Sequence, residues 1–393
     1  MALLSLAIGA FGIGMTEFVS MGLLPGIAAD LLPGTYATHT EDAIAQAGLL
    51  ISLYALGVVI GAPTIAGVAS RFPRHRVMVV LVAMLLAFNL LTVIAPGFEL
   101  VAVSRFLSGL PHGAYFGMGA LVASELVGPE RRGRGVALMM TGLTVANVVG
   151  VPAGTFLGQW LGWRAAYMVV AVVFATALVM CWRFLPAQAG EPGRTFLSEL
   201  RVFRLPQVWL TAAVGAIGFG AFFALYSYVS TLVTEAAGGP EWLVPFALMA
   251  LGAGMVIGNL IGGRLADISV TRTLIAGLGG MSAASVLVAA LSAWTVPLIV
   301  SLFGFGLIAQ LVNPAIQLRL FDVARDHQAI AGALNHSALN VGNSLGAALG
   351  GAVIAARWGY VAPVWVGAVL AFAGMLIAFV ALAVDRRAVR VPA

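Results

Sequence analysis

Lysine is absent from the 393-residue chain, cysteine occurs once, and only 9% of the residues are charged. A soluble domain carries roughly 25% charged residues, so this scarcity excludes an ordinary water-soluble globule. The single cysteine, Cys181, lies inside an apolar run and excludes a disulfide framework. There is no Walker A sequence, so ATP is not the expected energy source. There is no His/Cys/Asp cluster at metal-ligand spacing and no Gly-x-Ser-x-Gly elbow. The glycine run Gly252-Ala-Gly254…Gly258 sits inside an apolar stretch with no strand before it, so it is no dinucleotide site. Neither a metal nor an organic cofactor is expected.

What is present is apolar: 61% of the chain is hydrophobic, with a mean hydropathy of +1.03. Such a chain needs lipid as its solvent and reads as an all-α, polytopic membrane protein. A membrane-crossing helix takes about 20 residues. Apolar runs broken by turn or charge clusters predict twelve spans, the first six at 3–29, 44–70, 77–96, 100–127, 135–159 and 164–185. The second six are expected at 207–235, 242–266, 273–292, 295–320, 329–355 and 361–384. The first segment is too long for a cleaved leader, lacks a basic n-region and carries Glu17, so it is expected to stay as a span. Residues 186–206 form the longest polar break. They suggest an N-terminal six-helix bundle (1–185), a cytoplasmic linker (186–206) and a C-terminal six-helix bundle (207–393).

The formal charge of +5 is carried by twenty arginines. With the spans above, seventeen fall on one side, two (Arg164 and Arg357) on the other, and Arg105 within a span. The positive-inside rule makes the rich side, with both termini, cytoplasmic. The excess is topological and implies a lipid partner rather than nucleic acid. The chain also repeats itself. Gly57-Val-Val-Ile-Gly61 recurs as Gly254-Met-Val-Ile-Gly258, an offset of 197. Val145, Asn147, Gly150 and Gly154 recur as Val341, Asn343, Gly346 and Gly350, an offset of 196. A duplicated six-helix unit has both copies in one orientation, with a substrate path expected between them.

Several stretches carry a family resemblance: Gly14-Met-Thr-Glu-Phe-Val-Ser-Met-Gly-Leu-Leu-Pro25, Tyr54-Ala-Leu-Gly-Val-Val-Ile-Gly-Ala-Pro63 and Arg105-Phe-Leu-Ser-Gly-Leu-Pro-His-Gly113. Further on come Ala146-Asn-Val-Val-Gly-Val-Pro-Ala-Gly154, Gly162-Trp-Arg164 and Gly263-Arg-Leu-Ala-Asp267. Over nearly its whole length the sequence resembles the major facilitator superfamily, and within it the twelve-span drug:proton antiporters of the arabinose-efflux and chloramphenicol-efflux types. The resemblance implies a monomeric carrier in a bacterial inner membrane, built as two pseudo-symmetric bundles.

Glu17 is the one carboxylate placed deep in the membrane, about 18 Å from Ala29 at the rise of a helix. A carboxylate there needs a task or a partner. The resemblance favours a proton carrier; a structural bond to a neighbouring helix is the alternative. Arg105 and His112 lie seven residues apart on the fourth span, hence on one face. His112 matches Glu17 in depth, and in the family fold the first and fourth spans both line the cavity. Glu17, His112 and Arg105 are therefore expected to couple protons to transport. The alternatives are a backbone-bonded neutral histidine and a snorkelling arginine. On the fifth span Gly142, Gly150, Pro152, Gly154 and Gly158 resemble the antiporter motif of proton-driven exporters. The eleventh has matching glycines but Ala348 in place of the proline. Ser70-Arg71-Phe-Pro-Arg74 departs from the cytoplasmic gating motif at Ser70 and Pro73, while Asp267 keeps the acid in the second half. Asp267 is expected to dock near Arg131, Arg132 and Arg134. Tyr54, Tyr115, Asn147, Phe223, Tyr226, Gln310, Asn313, Asn335, His336, Asn340 and Asn343 are candidates for a substrate cavity, some of them only bridging helices. The expected activity is proton-coupled export of small amphipathic molecules such as chloramphenicol-like drugs. Uncoupled export of sugars or metabolites is the alternative, and an intramembrane enzyme or channel a remote one.

Overall fold

In hydrocarbon each backbone amide must find its partner within its own segment, and the expected spans are helical throughout. The computed structural model describes residues 1–69, 71–128, 132–189, 204–324 and 328–390. Ser70 and most of the 186–206 linker lie outside the described residues. Among the described residues ten helical stretches are long and apolar enough to cross a membrane. One of them, Glu241–Leu291, holds both the eighth and the ninth expected spans. They are separated by an extended residue, Ser269, with φ −163° and ψ 103°. The fourth span, Phe98–Val127, is a thirty-residue helix outside the ten; it carries Glu99, Arg105, His112 and Glu125.

The first span is divided at Leu23 into Ala2–Gly22 and Leu24–Leu31. The fifth runs Arg132–Val145, a π-helical turn Ala146–Gly150, then Val151–Leu161. Pro152 has no amide and its ring would clash with the carbonyl four residues back. The wide turn before it, where the Val151 amide bonds to the Ala146 carbonyl, absorbs that conflict. The eleventh span, Gln328–Ala355, has Ala348 there and is α-helical from end to end.

The chain divides into two units, Met1–Arg194 with Pro240–Met249, and Thr195–Gly239 with Ala250–Ala393. Within the first, the second span (Thr40–Ala69) lies against the fourth. A side chain on Gly57 would overlap the Phe106 carbonyl, one on Gly61 the Leu110 carbonyl, and one on Gly109 the Tyr54 carbonyl. In the second unit Gly254 meets the Phe303 carbonyl, Gly258 the Leu307 carbonyl and Gly306 the Leu251 carbonyl. Every partner is displaced by the same 197 residues (57 to 254, 106 to 303, 61 to 258, 110 to 307, 109 to 306, 54 to 251). Small residues let spans approach at backbone distance, and the repeat conserves that packing residue for residue.

Candidate functional site

Arg105 is the largest fully buried side chain among the described residues, 1% exposed in the fourth span. Its Nη1 donates to Thr16 Oγ1 at 3.1 Å, and Nη2 donates to Ser20 Oγ at 3.4 Å. Thr16 and Ser20 are four apart on the first span, so they share the face that receives the guanidinium. The Thr16 hydroxyl donates to Asn89 Oδ1 at 2.6 Å, and Asn89 Nδ2 donates to the Leu85 carbonyl at 2.8 Å on the third span, Arg74–Ile94. The bonds run in one direction from the arginine through the hydroxyl to the amide, so each polarises the next. The Tyr167 hydroxyl also donates to Ser20, at 3.2 Å. The Arg105 guanidinium carbon stands 4.3 Å from the Tyr54 ring centre and 5.4 Å from that of Tyr167. These are cation–π distances.

Tyr54 links the arginine to the histidine. Its hydroxyl lies 3.0 Å from His112 Nδ1, in a hydrogen bond whose direction follows the histidine tautomer. The imidazole meets Phe116 edge-on at 5.2 Å. Glu17 is buried beside Thr16, one turn before Ser20. Arg105 and His112 thus belong to one buried polar chain across the first, second and fourth spans, and Glu17 is buried next in sequence to Thr16, one of its members. Tyr54, a cavity candidate by sequence, is its connecting member. Thr16, Ser20, Asn89 and Tyr167 were not anticipated. A buried amide in a span was a usable signal for Asn89; hydroxyls are too common in spans to signal anything.

At the arginine-poor end, Trp163 Nε1 donates to Asp30 Oδ2 at 2.9 Å, and Arg164 pairs with the same carboxylate while its Nη2 donates to the Ala95 carbonyl at 3.0 Å. Partial burial pushes the Asp30 carboxyl up, but the bonds from Trp163 and Arg164 and the arginine charge outweigh it. The group is held below its ordinary range. At the arginine-rich end, Arg74 is buried against Glu125, and its backbone N–H donates to the Gln188 carbonyl at 3.2 Å. Arg71 lies over the Phe72 ring. Asp267 is exposed; of its expected partners, Arg131 and the side chains of Arg132 and Arg134 lie outside the described residues.

A sequence profile of the Major Facilitator Superfamily matches residues 6–268 and 244–393. The chain belongs to the Major Facilitator Superfamily. It is 37% identical over 377 residues to the inner membrane transport protein YdhP of Escherichia coli K12, covering 96% of this chain and 95% of that protein. It is 31% identical over 387 residues to the putative transporter AraJ of the same organism, covering 95% and 93%. It is also 30% identical over 385 residues to a chloramphenicol resistance protein of Streptomyces lividans, covering 95% and 94%. The crystal structure of the human organic anion transporter MFSD10 superposes with a TM-score of 0.70 at 15% identity, covering 96% of this chain and 98% of that one. The chain is therefore a multi-pass membrane transporter with the superfamily fold, and not an enzyme.

In this superfamily member the fifth-span glycines lie along the first span. A side chain on Gly142 would overlap the Ala7 carbonyl, and one on Gly158 the Leu23 side chain. Gly150 faces the Phe11 ring and Gly154 faces Val19. Of the cavity candidates, Tyr115 is fully buried and donates to the Leu6 carbonyl at 2.7 Å, so its hydroxyl bridges helices. Asn147 sits in the π-helical turn with its Oδ1 buried and without a hydrogen-bond partner. In the second unit Phe223 and Tyr226 both meet Phe222 edge-on. Asn313 reaches Gln310 at 3.5 Å. On the eleventh span Asn340 donates to the His336 carbonyl at 3.0 Å, Asn343 is fully buried, and the Oδ1 atoms of Asn335 and Asn340 are buried without a donor.

Proposed function

We propose that the protein is a proton-coupled exporter of small amphipathic molecules, amphenicol-like drugs among them. It works as a monomer by alternating access in a bacterial inner membrane, with both termini cytoplasmic and with protons in place of any cofactor. The observation that carries this reading is the buried chain joining Arg105, Thr16, Tyr54 and His112 beside Glu17. A membrane-embedded arginine and carboxylate are costly wherever they stand. Here the arginine stands over a tyrosine that is bonded to a histidine, groups that hand on protons through hydrogen bonds. Glu17 takes up the proton from the outer side. Arg105 compensates its charge when the proton leaves, and His112 with Tyr54 extends the path. The similarity to a chloramphenicol resistance protein supports the substrate class, and the arginine asymmetry supports the orientation. Asn147, Asn335 and Asn340 supply buried carbonyl acceptors for hydroxyl-bearing substrates. One proton moving through 100 mV supplies about 2.3 kcal/mol, enough for roughly a 50-fold substrate gradient.

The test is a pH-gradient assay in liposomes loaded with a pH-sensitive dye. Chloramphenicol-like drugs, sugars and cationic dyes are added in turn to wild type and to Glu17→Gln. The expected result is that one class collapses the gradient through wild type and not through the variant. Labelled substrate crossing with no proton movement in wild type identifies an uncoupled facilitator and removes Glu17 from its role.

A further inference from the structure

Among the described residues, the hydrogen bonds of Arg105 go to two hydroxyls of the first span, Thr16 and Ser20. Its buried Nε has no acceptor. The other contacts of the guanidinium are the faces of Tyr54 and Tyr167. A ring face lets a cation slide across it, whereas an oxygen acceptor fixes where an N–H points. The place of the charge is therefore set by where the two hydroxyls direct their lone pairs.

A threonine in a helix can turn its hydroxyl onto a carbonyl of the preceding turn. For Thr16 that carbonyl belongs to Gly12, four residues back. Thr16 donates to Asn89 Oδ1 instead. Asn89 presents that oxygen because its Nδ2 is spent on the Leu85 carbonyl of its own helix. An acceptor held there draws the one proton of the Thr16 hydroxyl toward the third span and leaves the lone pairs for Arg105 Nη1. Thr16 and Asn89 are both fully buried, so bulk water competes for neither.

Between Val77 and Ile94 the polar side chains of the third span are Asn89 and Thr92. Thr92 bonds to the Phe88 carbonyl at 3.1 Å and to Ser104 at 2.8 Å, an ordinary bridge to the fourth span. Asn89 bonds to no ionisable group and reaches the arginine only through Thr16. The ionisable side chains near the guanidinium come from other spans: Tyr54 from the second, Tyr167 from the sixth, Glu17 beside Thr16 on the first, and His112 on the fourth through Tyr54. The third span brings none, since its Arg74, His75 and Arg76 stand in its first turn, about 20 Å along the helix from Asn89.

We infer that Asn89 is a positioning residue for proton coupling. By fixing the Thr16 hydroxyl it holds the Arg105 cation where that cation compensates ionised Glu17, without bonding to Arg105 itself. The inference rests on the coupling reading above and adds to it the residue that sets how strongly the arginine acts.

Infrared titration of the purified protein tests this without any substrate, by following the protonated-carboxyl band that is lost in Glu17→Gln. Asn89→Leu, of nearly the same size, frees Thr16 to turn onto its own helix. The cation is then held less firmly and compensates the carboxylate less, so the midpoint of the band moves to higher pH by about half a unit. Thr16→Val moves it at least as far, and Asn89→Leu added to Thr16→Val moves it no further, because the link is already broken. Thr16→Ser, which keeps the hydroxyl, keeps the wild-type midpoint. A residue that only packs the third span against its neighbours changes the melting temperature and leaves the midpoint in place. A midpoint that moves in Arg105→Leu and stays in Asn89→Leu overturns the proposal alone, as do displacements in Asn89→Leu and Thr16→Val that simply add. A midpoint indifferent to Arg105→Leu removes the coupling reading, and the proposal with it.

Discussion

The two halves of the molecule share a packing register and not a chemistry. At the 197-residue offset that relates Gly57 to Gly254 and Gly109 to Gly306, Arg105 corresponds to Leu302, His112 to Ala309 and Tyr54 to Leu251. All three counterparts are apolar and fully buried. The first half holds a cation within a chain of donors and acceptors; the second holds carbonyl acceptors on its eleventh span. Backbone approach between the second and fourth helices, or the eighth and tenth, requires only glycines and tolerates any side chain on the opposite faces. A duplicated bundle can therefore keep its scaffold in both copies and place its buried arginine in one.

The largest effect should come from exchanging the residues that differ. Arg105→Leu, the residue of the second half, is expected to lower proton-coupled flux on the order of 100-fold while the protein still inserts. The reverse exchange, Leu302→Arg, places a charge at a fully buried apolar position and should cost about 3 kcal/mol, read as loss of yield and of thermal stability. Equal tolerance of both exchanges would erase the asymmetry. Next in size, Ala348→Pro should destabilise the second half by about 3 kcal/mol, because its eleventh helix has no π-helical turn to absorb the ring. Pro152→Ala should leave stability nearly unchanged and alter transport rate.

Tyr54→Phe keeps the ring beneath Arg105 and removes the hydroxyl bonded to His112. It should shift the pH profile of transport with a stability loss of about 1 kcal/mol, whereas Leu251→Phe in the other half should leave the profile in place. The smallest effect belongs to Asp30. Its folded carboxyl is held below the ordinary value, so its contribution to stability is complete above about pH 3.9 and is lost as pH falls through the lower folded value. Asp30→Asn should lower the melting temperature slightly at neutral pH, leave it unchanged at the lowest pH, and so flatten the acid limb of the profile.

Much of this was legible in the sequence because lipid makes polar residues conspicuous. Glu17, Arg105 and His112 stand out in apolar runs, and each cost too much to be incidental. Asn89 was equally exposed to that logic and went unread. Thr16 and Ser20 were not legible at all. A threonine in a helix can satisfy itself on the preceding turn, as Thr176 does on the Val172 carbonyl at 2.9 Å and Thr144 on that of Met140 at 3.4 Å. Nothing in the residue distinguishes it from Thr16, which instead reaches Asn89. The break of the first span at Leu23 was likewise hidden, whereas Pro152 marked in the sequence the place where the fifth helix has to adjust.

The sequence by itself determined the solvent, the number and order of the spans, the duplicated register and the residues able to carry charge. Each follows from a cost paid locally, by a segment in hydrocarbon. Tertiary structure decided the partners: that Arg105 rests on hydroxyls of the first span, and that Tyr54 stands between it and His112. Hydrogen bonds and ring contacts between helices form only when faces meet, and which faces meet is settled by close packing of the whole bundle.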